Sequence, residues 1–183
     1  MPRPTLTLLA APLAALLALA ACNPAFNWRE VRPENTRLSF LLPCKPDKAQ
    51  KTVPFGGKPT PLAMLGCETG GITFAVAVAD LGNSGEAAQA ATLLAQWQSL
   101  TLANMRAGAP QLSPLKLPGA AIAQPPVLVT AQGQRADGTS VSGQAAYFAQ
   151  GAQLFQAVMY ADRLPPEVAE TFFSSLKFAP ASP

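Results

Sequence analysis

The stretch LAMLGCETGGITFAVAVAD, residues 62–80, decides the fold. Every second residue from Ile72 to Val78 is large and apolar, which is the pattern of a β-strand with one face in the core. The opposite face carries alanines instead of polar residues, and this predicts a central strand that is covered on both sides. The turn sequence Thr69-Gly70-Gly71 joins this strand to an apolar run before it, so residues 62–80 are predicted to form a hairpin.

Further strand patterns lie before and after this hairpin. Residues 37–42 and 51–55 precede it, and we expect these two strands to be antiparallel neighbours. Residues 127–133, 140–150 and 153–161 follow it as three successive strands. Together with the hairpin they predict a largely antiparallel sheet of about six to seven strands.

Two helices are predicted to pack on this sheet, which makes the fold class α+β. The first spans residues 85–105, with Ser84 as its cap and Glu86 near its positive end. The second begins at Pro165-Pro166, because proline is tolerated in a first helical turn. Trp97 is interpreted as a core residue, with a ligand platform as the alternative. The predicted core-facing residues recur at helical spacing; they are Leu93, Leu94, Trp97 and Leu100 in the first helix, and Val168, Ala169, Phe172, Phe173 and Leu176 in the second.

Residues 108–126 contain five prolines and few periodic apolar residues. Because proline lacks the backbone donor that a sheet requires, this segment is predicted to be a long loop outside the sheet. Loops of this length are often functional. Its apolar residues are interpreted as contacts for a ligand or partner, or alternatively as cover for one end of the core; they are Leu112, Leu115, Leu117 and Ile122.

The N-terminus has the pattern of an export signal. Arg3 gives it a positive start, and residues 6–21 are uncharged and rich in Leu and Ala. This run is shorter than the roughly 20 residues of a membrane-spanning helix and contains Pro12. A cleaved signal peptide is therefore favoured over a permanent membrane span.

Residues 19–22, with the sequence LAAC, resemble the lipobox of bacterial lipoproteins. The resemblance implies cleavage between Ala21 and Cys22, lipid on the thiol of Cys22, and attachment to a membrane. Each acyl chain adds roughly 0.8 kcal/mol of membrane affinity per buried methylene, so two or three chains hold a protein durably. The alternative is an ordinary secreted protein that is cleaved after residues 18–20.

The residues after Cys22 bear on location and on the domain boundaries. An Asp in the next position commonly retains such proteins in the inner membrane, so Asn23 implies the periplasmic face of the outer membrane. Phe26 and Trp28 are interpreted as an edge segment packed on the domain, with a membrane-interface anchor as the alternative. The expected divisions are a signal peptide at 1–21, a lipidated N-terminus and short tether at 22–35, a single domain at 36–178, and a tail at 179–183.

Two cysteines remain once Cys22 is assigned to lipid. In an oxidising compartment Cys44 and Cys67 are expected to form a disulfide. Thiol redox chemistry is disfavoured because the pair lacks C-x-x-C spacing. A zinc site is disfavoured because the chain contains no histidine, and no cofactor is expected.

The order of strands and helices resembles the PsbP-like α+β fold over residues 36–178. The residues that carry the resemblance are Tyr147-Phe148, the strand residues 154–158, and residues 172–177. This family contains photosystem-associated proteins and many bacterial lipoproteins without known activity. The resemblance implies a fold and no catalytic residues.

Most catalytic sites lack their usual residues in this chain. Without histidine a Ser-His-Asp or Cys-His centre cannot form. Ser174-Ser175 with Lys177 does not match the spacing of a serine–lysine pair. The glycine pairs 56–57 and 70–71 lack the lysine and the helix of a phosphate loop, and are interpreted as turns. The carboxylates are explained by turns and helix starts; they are Glu68, Asp80, Glu86, Asp137, Asp162, Glu167 and Glu170.

The net charge is only +3, which argues against nucleic acid as a partner. The first third of the mature chain is nevertheless basic. This basic surface is interpreted as a solvated face, with attraction to anionic lipid headgroups or cell-wall groups as the alternative. Its cations are Arg29, Arg32, Arg37, Lys45, Lys48, Lys51 and Lys58, against Glu30, Glu34 and Asp47.

The sequence predicts a non-enzymatic, membrane-tethered module that binds or assists an envelope protein or cell-wall partner. A carrier of a small molecule or lipid, with an apolar pocket beside residues 108–126, is the second hypothesis. An enzyme that uses carboxylates or a lone serine ranks third. Convergent buried carboxylates would favour the enzyme, and a deep apolar pocket would favour the carrier.

Overall fold

The computed structural model describes residues 26–82, 88–120 and 125–180. Within these residues ten strands and two helices form an α+β fold, as predicted. In chain order they are β1 (Arg29–Val31), β2 (Leu38–Leu42), β3 (Asp47–Phe55), β4 (Lys58–Thr69), β5 (Ile72–Asp80), α1 (Ala90–Asn104), β6 (Gln111–Pro114), β7 (Val127–Gln134), β8 (Ser140–Gln150), β9 (Gln153–Ala161), α2 (Pro166–Ser174) and β10 (Lys177–Phe178).

The described strands form two antiparallel sheets. The large sheet has seven strands in the order β3-β4-β5-β9-β8-β7-β6, and the small sheet has three in the order β1-β2-β10. Neither α1 nor α2, the helices of the described ranges, is long and apolar enough to cross a membrane. The predicted antiparallel sheet with two helices is therefore confirmed.

The predicted hairpin and its central strand are also confirmed. Strand β5 lies between β4 and β9, and the turn at residues 70–71 joins it to β4. Phe74 and Val76 are buried on one face of β5, while Ala77 and Ala79 are buried on the other. Period-two patterning with alanines on the second face thus indicated a strand buried on both sides.

Each face of the large sheet has its own core. The small sheet and α2 cover one face, which we call the aromatic face; Phe148 and Phe155 stack there with ring centroids 5.2 Å apart. Phe172 of α2 packs edge-on against Phe74 at 5.5 Å. Helix α1 covers the opposite face, which we call the α1 face, through Leu93 and other apolar residues.

The predicted Cys44–Cys67 disulfide is present. Cys44 follows β2 of the small sheet, and Cys67 lies in β4 of the large sheet. The bond therefore joins the small sheet to the large sheet, and the aromatic-face core lies between them. Closing a loop of 23 residues stabilises a fold by about 3 kcal/mol on the chain-entropy model.

The predicted pairing of the first two strands is wrong. Strand β2 pairs with β1 and β10, whereas β3, which begins at Asp47 rather than residue 51, pairs with β4. Pro43 and Pro46 interrupt the chain between β2 and β3. The chain changes layers there, so the two strands belong to different sheets.

The expected tether at residues 22–35 is corrected by β1, which lies within it. Phe26 and Trp28 are partly buried against the aromatic-face core, and Trp28 lies edge-on to Phe74 at 6.0 Å. The domain thus includes residue 26, ten residues before the expected boundary at residue 36. Both aromatic residues belong to an edge segment packed on the domain.

Residues 108–126 are not a loop outside the sheet throughout. Strand β6 pairs with β7, and Leu117 is 6% exposed in the aromatic-face core. The backbone N–H of Phe178 donates to the carbonyl oxygen of Pro118 at 2.8 Å. Gly119 has a φ of +75°, and a Cβ there would collide with the carbonyl oxygen of Phe178. Leu117 therefore covers the core, Leu112 is exposed, and Ile122 lies outside the described residues.

Helix α1 begins at Ala90, later than the predicted residue 85, and Ser84 and Glu86 lie outside the described residues. Leu93 and Leu94 are buried as predicted, but Leu100 is 62% exposed. The turn after β3 covers Leu93, whose Cδ2 atom lies 3.1 Å from the Cβ position of Gly56. Leu100 lies two helical turns further on and does not share this cover. The four predicted core residues within α2 are buried, and Leu176, which was predicted to belong to this helix, is buried just after its end at Ser174.

Candidate functional site: a groove beside helix α1

Helix α1 covers only part of its face of the large sheet. The uncovered part forms a groove of about 490 Å³, which we call the α1 groove. Its floor comes from β4, β5, β8 and β9, and its wall from the second half of α1. The groove is lined by residues that include Met64, Ala77, Trp97, Thr101, Gln156 and Tyr160.

The strand register brings the floor residues together. Ala77 lies opposite Met64 of β4 on one side and opposite Gln156 of β9 on the other. Directly opposed residues of antiparallel strands share a face, so these three side chains point toward α1. The methyl group of Ala77 leaves room above the sheet between the two longer side chains.

A hydrogen-bond network fixes the orientation of the Gln156 amide. Its Nε2 donates to Thr101 Oγ1 at 2.8 Å and to the Tyr147 hydroxyl at 3.0 Å. Thr101 Oγ1 donates its only proton to the carbonyl oxygen of Trp97 at 3.0 Å, so it must accept from Gln156. Both amide protons are thus used, and Gln156 presents its carbonyl oxygen as the remaining acceptor.

Trp97 combines both interpretations of its role. Its ring packs edge-on against Phe55 at 5.0 Å and against Tyr147 at 6.5 Å, as a core residue does. Trp97 is nevertheless only partly buried and lines the α1 groove. A rigid aromatic wall that is held from behind suits the binding of an apolar ligand body.

The Tyr160 hydroxyl is the unusual polar group of the groove. It makes no hydrogen bond to the part of the chain that the structure describes. Burial raises the pKa of Tyr160 far above its ordinary value, and the neighbouring Tyr147 phenol raises it further. Tyr160 therefore stays protonated and offers an unused donor.

Met105 fixes the end of the groove next to Tyr160. The backbone N–H of Gln134 donates to the Met105 carbonyl oxygen at 2.6 Å. Met105 also packs directly on Gly143 of β8, where a Cβ would lie 2.5 Å from the methionine methyl carbon and 3.1 Å from the Tyr160 ring. A Cβ at Gly133 of β7 would collide with the Met105 carbonyl oxygen, so glycine is required there and the end of α1 lies directly on the sheet.

The charges around the α1 groove are positive. Lys51 and Arg135 line it, and no carboxylate among its described lining residues accompanies them. Arg135 is compensated by Asp162, whose Oδ1 lies 2.6 Å from Nη1. Lys51 is exposed and forms no ion pair with a described residue. The uncompensated charge of the groove is therefore the Lys51 ammonium.

A second groove lies on the aromatic face, between α2 and residues 115–118. It has a volume of about 670 Å³ and is mostly apolar. We call it the α2 groove; its apolar lining includes Leu115, Leu128, Leu164, Ala169 and Phe173. It lies beside residues 108–126, where the carrier hypothesis places its pocket, and it is an open groove rather than a deep cavity.

The candidate catalytic groups are engaged in structural contacts or lie at the surface. Ser175 Oγ donates to the Phe172 carbonyl oxygen at 2.6 Å and accepts from the Leu41 N–H at 2.9 Å. Lys177 lies 3.9 Å from Glu30. No Asp or Glu is buried among the described residues, and none of their His, Cys, Asp and Glu side chains form a group of three that could hold a metal.

Two carboxyl groups of the predicted basic surface have lowered pKa values because each lies beside a cation. Hydrogen bonds from Arg32 and Lys48 lower the pKa of Glu30 and Glu34, respectively. The same contacts compensate two cations of the predicted basic surface, at 2.6 Å and 2.7 Å. Arg32 and Lys48 are thus paired with two of the carboxylates that the sequence sets against the basic surface.

The chain matches no protein-family model, and no curated protein matches it in sequence. Its function must therefore be inferred from its residues.

Sequence reasoning did not find Gln156 and Tyr160 as site residues. The available signal was two polar side chains on one face of the otherwise apolar strand 153–161. The lipidation and cleavage residues, Ala21 and Cys22, lie outside the described residues.

Proposed function

We propose that this chain is an exported lipoprotein, anchored by lipid on Cys22, whose domain binds a small molecule in the α1 groove without catalysing a reaction. The lipobox-like residues 19–22 support the anchor, and Asn23 supports the periplasmic face of the outer membrane. The PsbP-like order of elements supports a place among lipoproteins of this fold. An envelope protein or the cell wall is the proposed partner of the loaded domain.

The Tyr160 hydroxyl carries the binding proposal. No described side-chain oxygen is both buried and without a partner, so the unpaired Tyr160 hydroxyl keeps contact with solvent in the groove. A ligand acceptor can therefore replace water at this donor without breaking a protein hydrogen bond. The Gln156 carbonyl oxygen, held by two bonds on its amino side, offers a ligand the complementary acceptor.

Retention of small molecules tests this function. The mature domain and a Tyr160→Phe variant are incubated with a solvent extract of bacterial envelopes, washed, denatured and analysed by mass spectrometry. We expect a compound that the wild-type domain retains and the variant loses. Equal retention by both proteins, or retention by neither, would contradict binding in the α1 groove.

The anchor has a separate test. Cells that express Cys22→Ser are expected to produce an unprocessed or soluble protein that takes up no labelled palmitate. Undiminished labelling of this variant would refute the lipoprotein assignment, whatever the domain binds.

A carrier of an apolar molecule or lipid is the second candidate, supported by the size and apolar lining of the α2 groove. In the same retention experiment, Leu164→Gln would place a polar group in this groove. Loss of a bound lipid in Leu164→Gln, with unchanged retention in Tyr160→Phe, would support the carrier instead of the α1-groove module.

A further inference from the structure

The distribution of charge and apolar surface in the α1 groove indicates the class of its ligand. Lys51 lies on β3, opposite Leu62 of β4, and so points to the α1 face of the sheet. Lys51 is the uncompensated cation described above, since Arg135 is held by Asp162. The end of the groove at Lys51 thus carries a net positive charge and is open to solvent, which favours the binding of an anionic group.

The middle of the groove is apolar. Ala77 and Met64 form its floor, and Trp97 and Met105 form its wall. Lys51 is in register with Leu154 of β9, so Lys51 and Tyr160 are separated by three strand spacings across the sheet, roughly 14 Å, and by six residues along β9, roughly 20 Å. After allowance for the lysine and tyrosine side chains, which both reach into this diagonal, the space fits a fused ring system that carries a short chain.

The far end of the groove is polar and neutral. The Gln156 carbonyl oxygen and the Tyr160 hydroxyl lie there as an acceptor and a donor. Because its raised pKa keeps Tyr160 protonated, this end does not repel an anion. It selects for a ligand with a hydrogen-bonding group opposite its anionic end.

We infer that the α1 groove binds a small amphipathic anion, with its carboxylate, sulfonate or phosphate at Lys51 and its apolar body against Trp97. This inference rests on the proposed binding function and specifies its ligand class. Lys51 positions the anion, and Tyr160 contacts the opposite end.

Two fluorescent probes with the same ring skeleton test the inference. Anilinonaphthalene sulfonate is an amphipathic anion, and phenylnaphthylamine lacks its sulfonate. We expect the wild-type domain to bind the anionic probe more tightly, and added salt to weaken that binding. Lys51→Met should lower the affinity for the anionic probe about fivefold and leave the affinity for the neutral probe unchanged.

Tyr160→Phe and Lys45→Met complete the design. Tyr160→Phe should weaken the binding of a probe that reaches the polar end of the groove. The melting temperature of the variant is measured as well, to exclude unfolding as the cause. Lys45 is exposed and lines neither groove, so Lys45→Met is the matched control for a general loss of positive charge and should leave both probes unchanged.

The outcomes separate the inference from the proposed function. Equal affinity for both probes with no effect of Lys51→Met, but weaker binding in Tyr160→Phe, would overturn the anionic ligand and leave the binding function intact. Binding that responds to Leu164→Gln alone, or no binding of either probe, would overturn both. An equal effect of Lys45→Met and Lys51→Met would also overturn the inference, because the charge would then act without a site.

Discussion

The two faces of the large sheet are covered in different ways. On the aromatic face, phenylalanine rings from the sheet, α2 and β10 pack against one another; examples are Phe148 with Phe155 at 5.2 Å and Phe172 with Phe74 at 5.5 Å. On the α1 face a single helix lies over small residues and leaves the polar Gln156 and Tyr160 beside a groove. We expect the aromatic face to provide most of the stability, so that the α1 face can remain incompletely filled.

Strand β9 contributes to both faces and gives the sharpest test of this comparison. Phe155 is fully buried on the aromatic face, so Phe155→Ala should lower the free energy of unfolding by about 3–5 kcal/mol. Tyr160→Phe, on the α1 face of the same strand, removes a hydroxyl without a described partner and should change it by under about 0.5 kcal/mol at neutral pH. Urea unfolding measures both values. Similar losses in the two variants would break the proposed division between the faces.

The disulfide lies on the aromatic side of this comparison. Cys44→Ser and Cys67→Ser should each lower stability by about 3 kcal/mol, because either one opens the same loop. Hydrogen exchange should then accelerate in β2 more than in α1, since the bond joins the small sheet to the large one. Unequal losses, or equal acceleration in α1, would show that the bond does not act specifically on the aromatic face.

Leu117 tests whether residues 108–126 belong to the aromatic face. Leu117→Ala should lower the free energy of unfolding by about 2 kcal/mol, since this side chain is 6% exposed at one end of that core. Leu112→Ala is the matched control, because Leu112 is 61% exposed on β6. Thermal unfolding in which neither substitution matters would restore the interpretation of the segment as a loop free for recognition.

Period two and turn chemistry were sufficient to predict much of the sheet. The limits of β5, β8 and β9 agree with the predicted strands, because turn residues separate them: Gly70-Gly71 precedes β5, Asp137-Gly138 precedes β8, and Gly151 lies between β8 and β9. Strand β6 was missed because four residues ending in a proline do not establish a period. The pairing of β2 was missed because its partners β1 and β10 are two or three residues long and far apart in the chain.

The candidate site was less predictable than the sheet. Trp97 was recognised, with a ligand platform as its second interpretation, but the α1 groove depends on contacts between distant segments. Met105 reaches Gly143, and Gln156 meets Thr101 across 55 positions of sequence. No local pattern contains such contacts. Single polar residues in an apolar strand are the signal that sequence reasoning can use for similar sites.

The pH dependence of stability gives the smallest expected effect and bears on the α1 face alone. In the folded protein the pKa of Tyr160 is raised by burial, whereas in the unfolded chain it has its ordinary value of about 10. Above about pH 10 the unfolded chain therefore loses a proton that the folded chain retains, and the free energy of unfolding falls as the pH rises.

Tyr160→Phe removes this contribution. Between about pH 9 and pH 11 the wild-type domain should lose about 1 kcal/mol more stability than the variant, while ionisation of lysines affects both equally. The Tyr147 phenol, whose pKa burial also raises, remains in both proteins and cancels in the difference. Urea unfolding at both pH values measures the effect. Parallel pH profiles would mean that Tyr160 is as well solvated in the folded protein as in the unfolded chain, and the argument for a partly enclosed donor would then lose its basis.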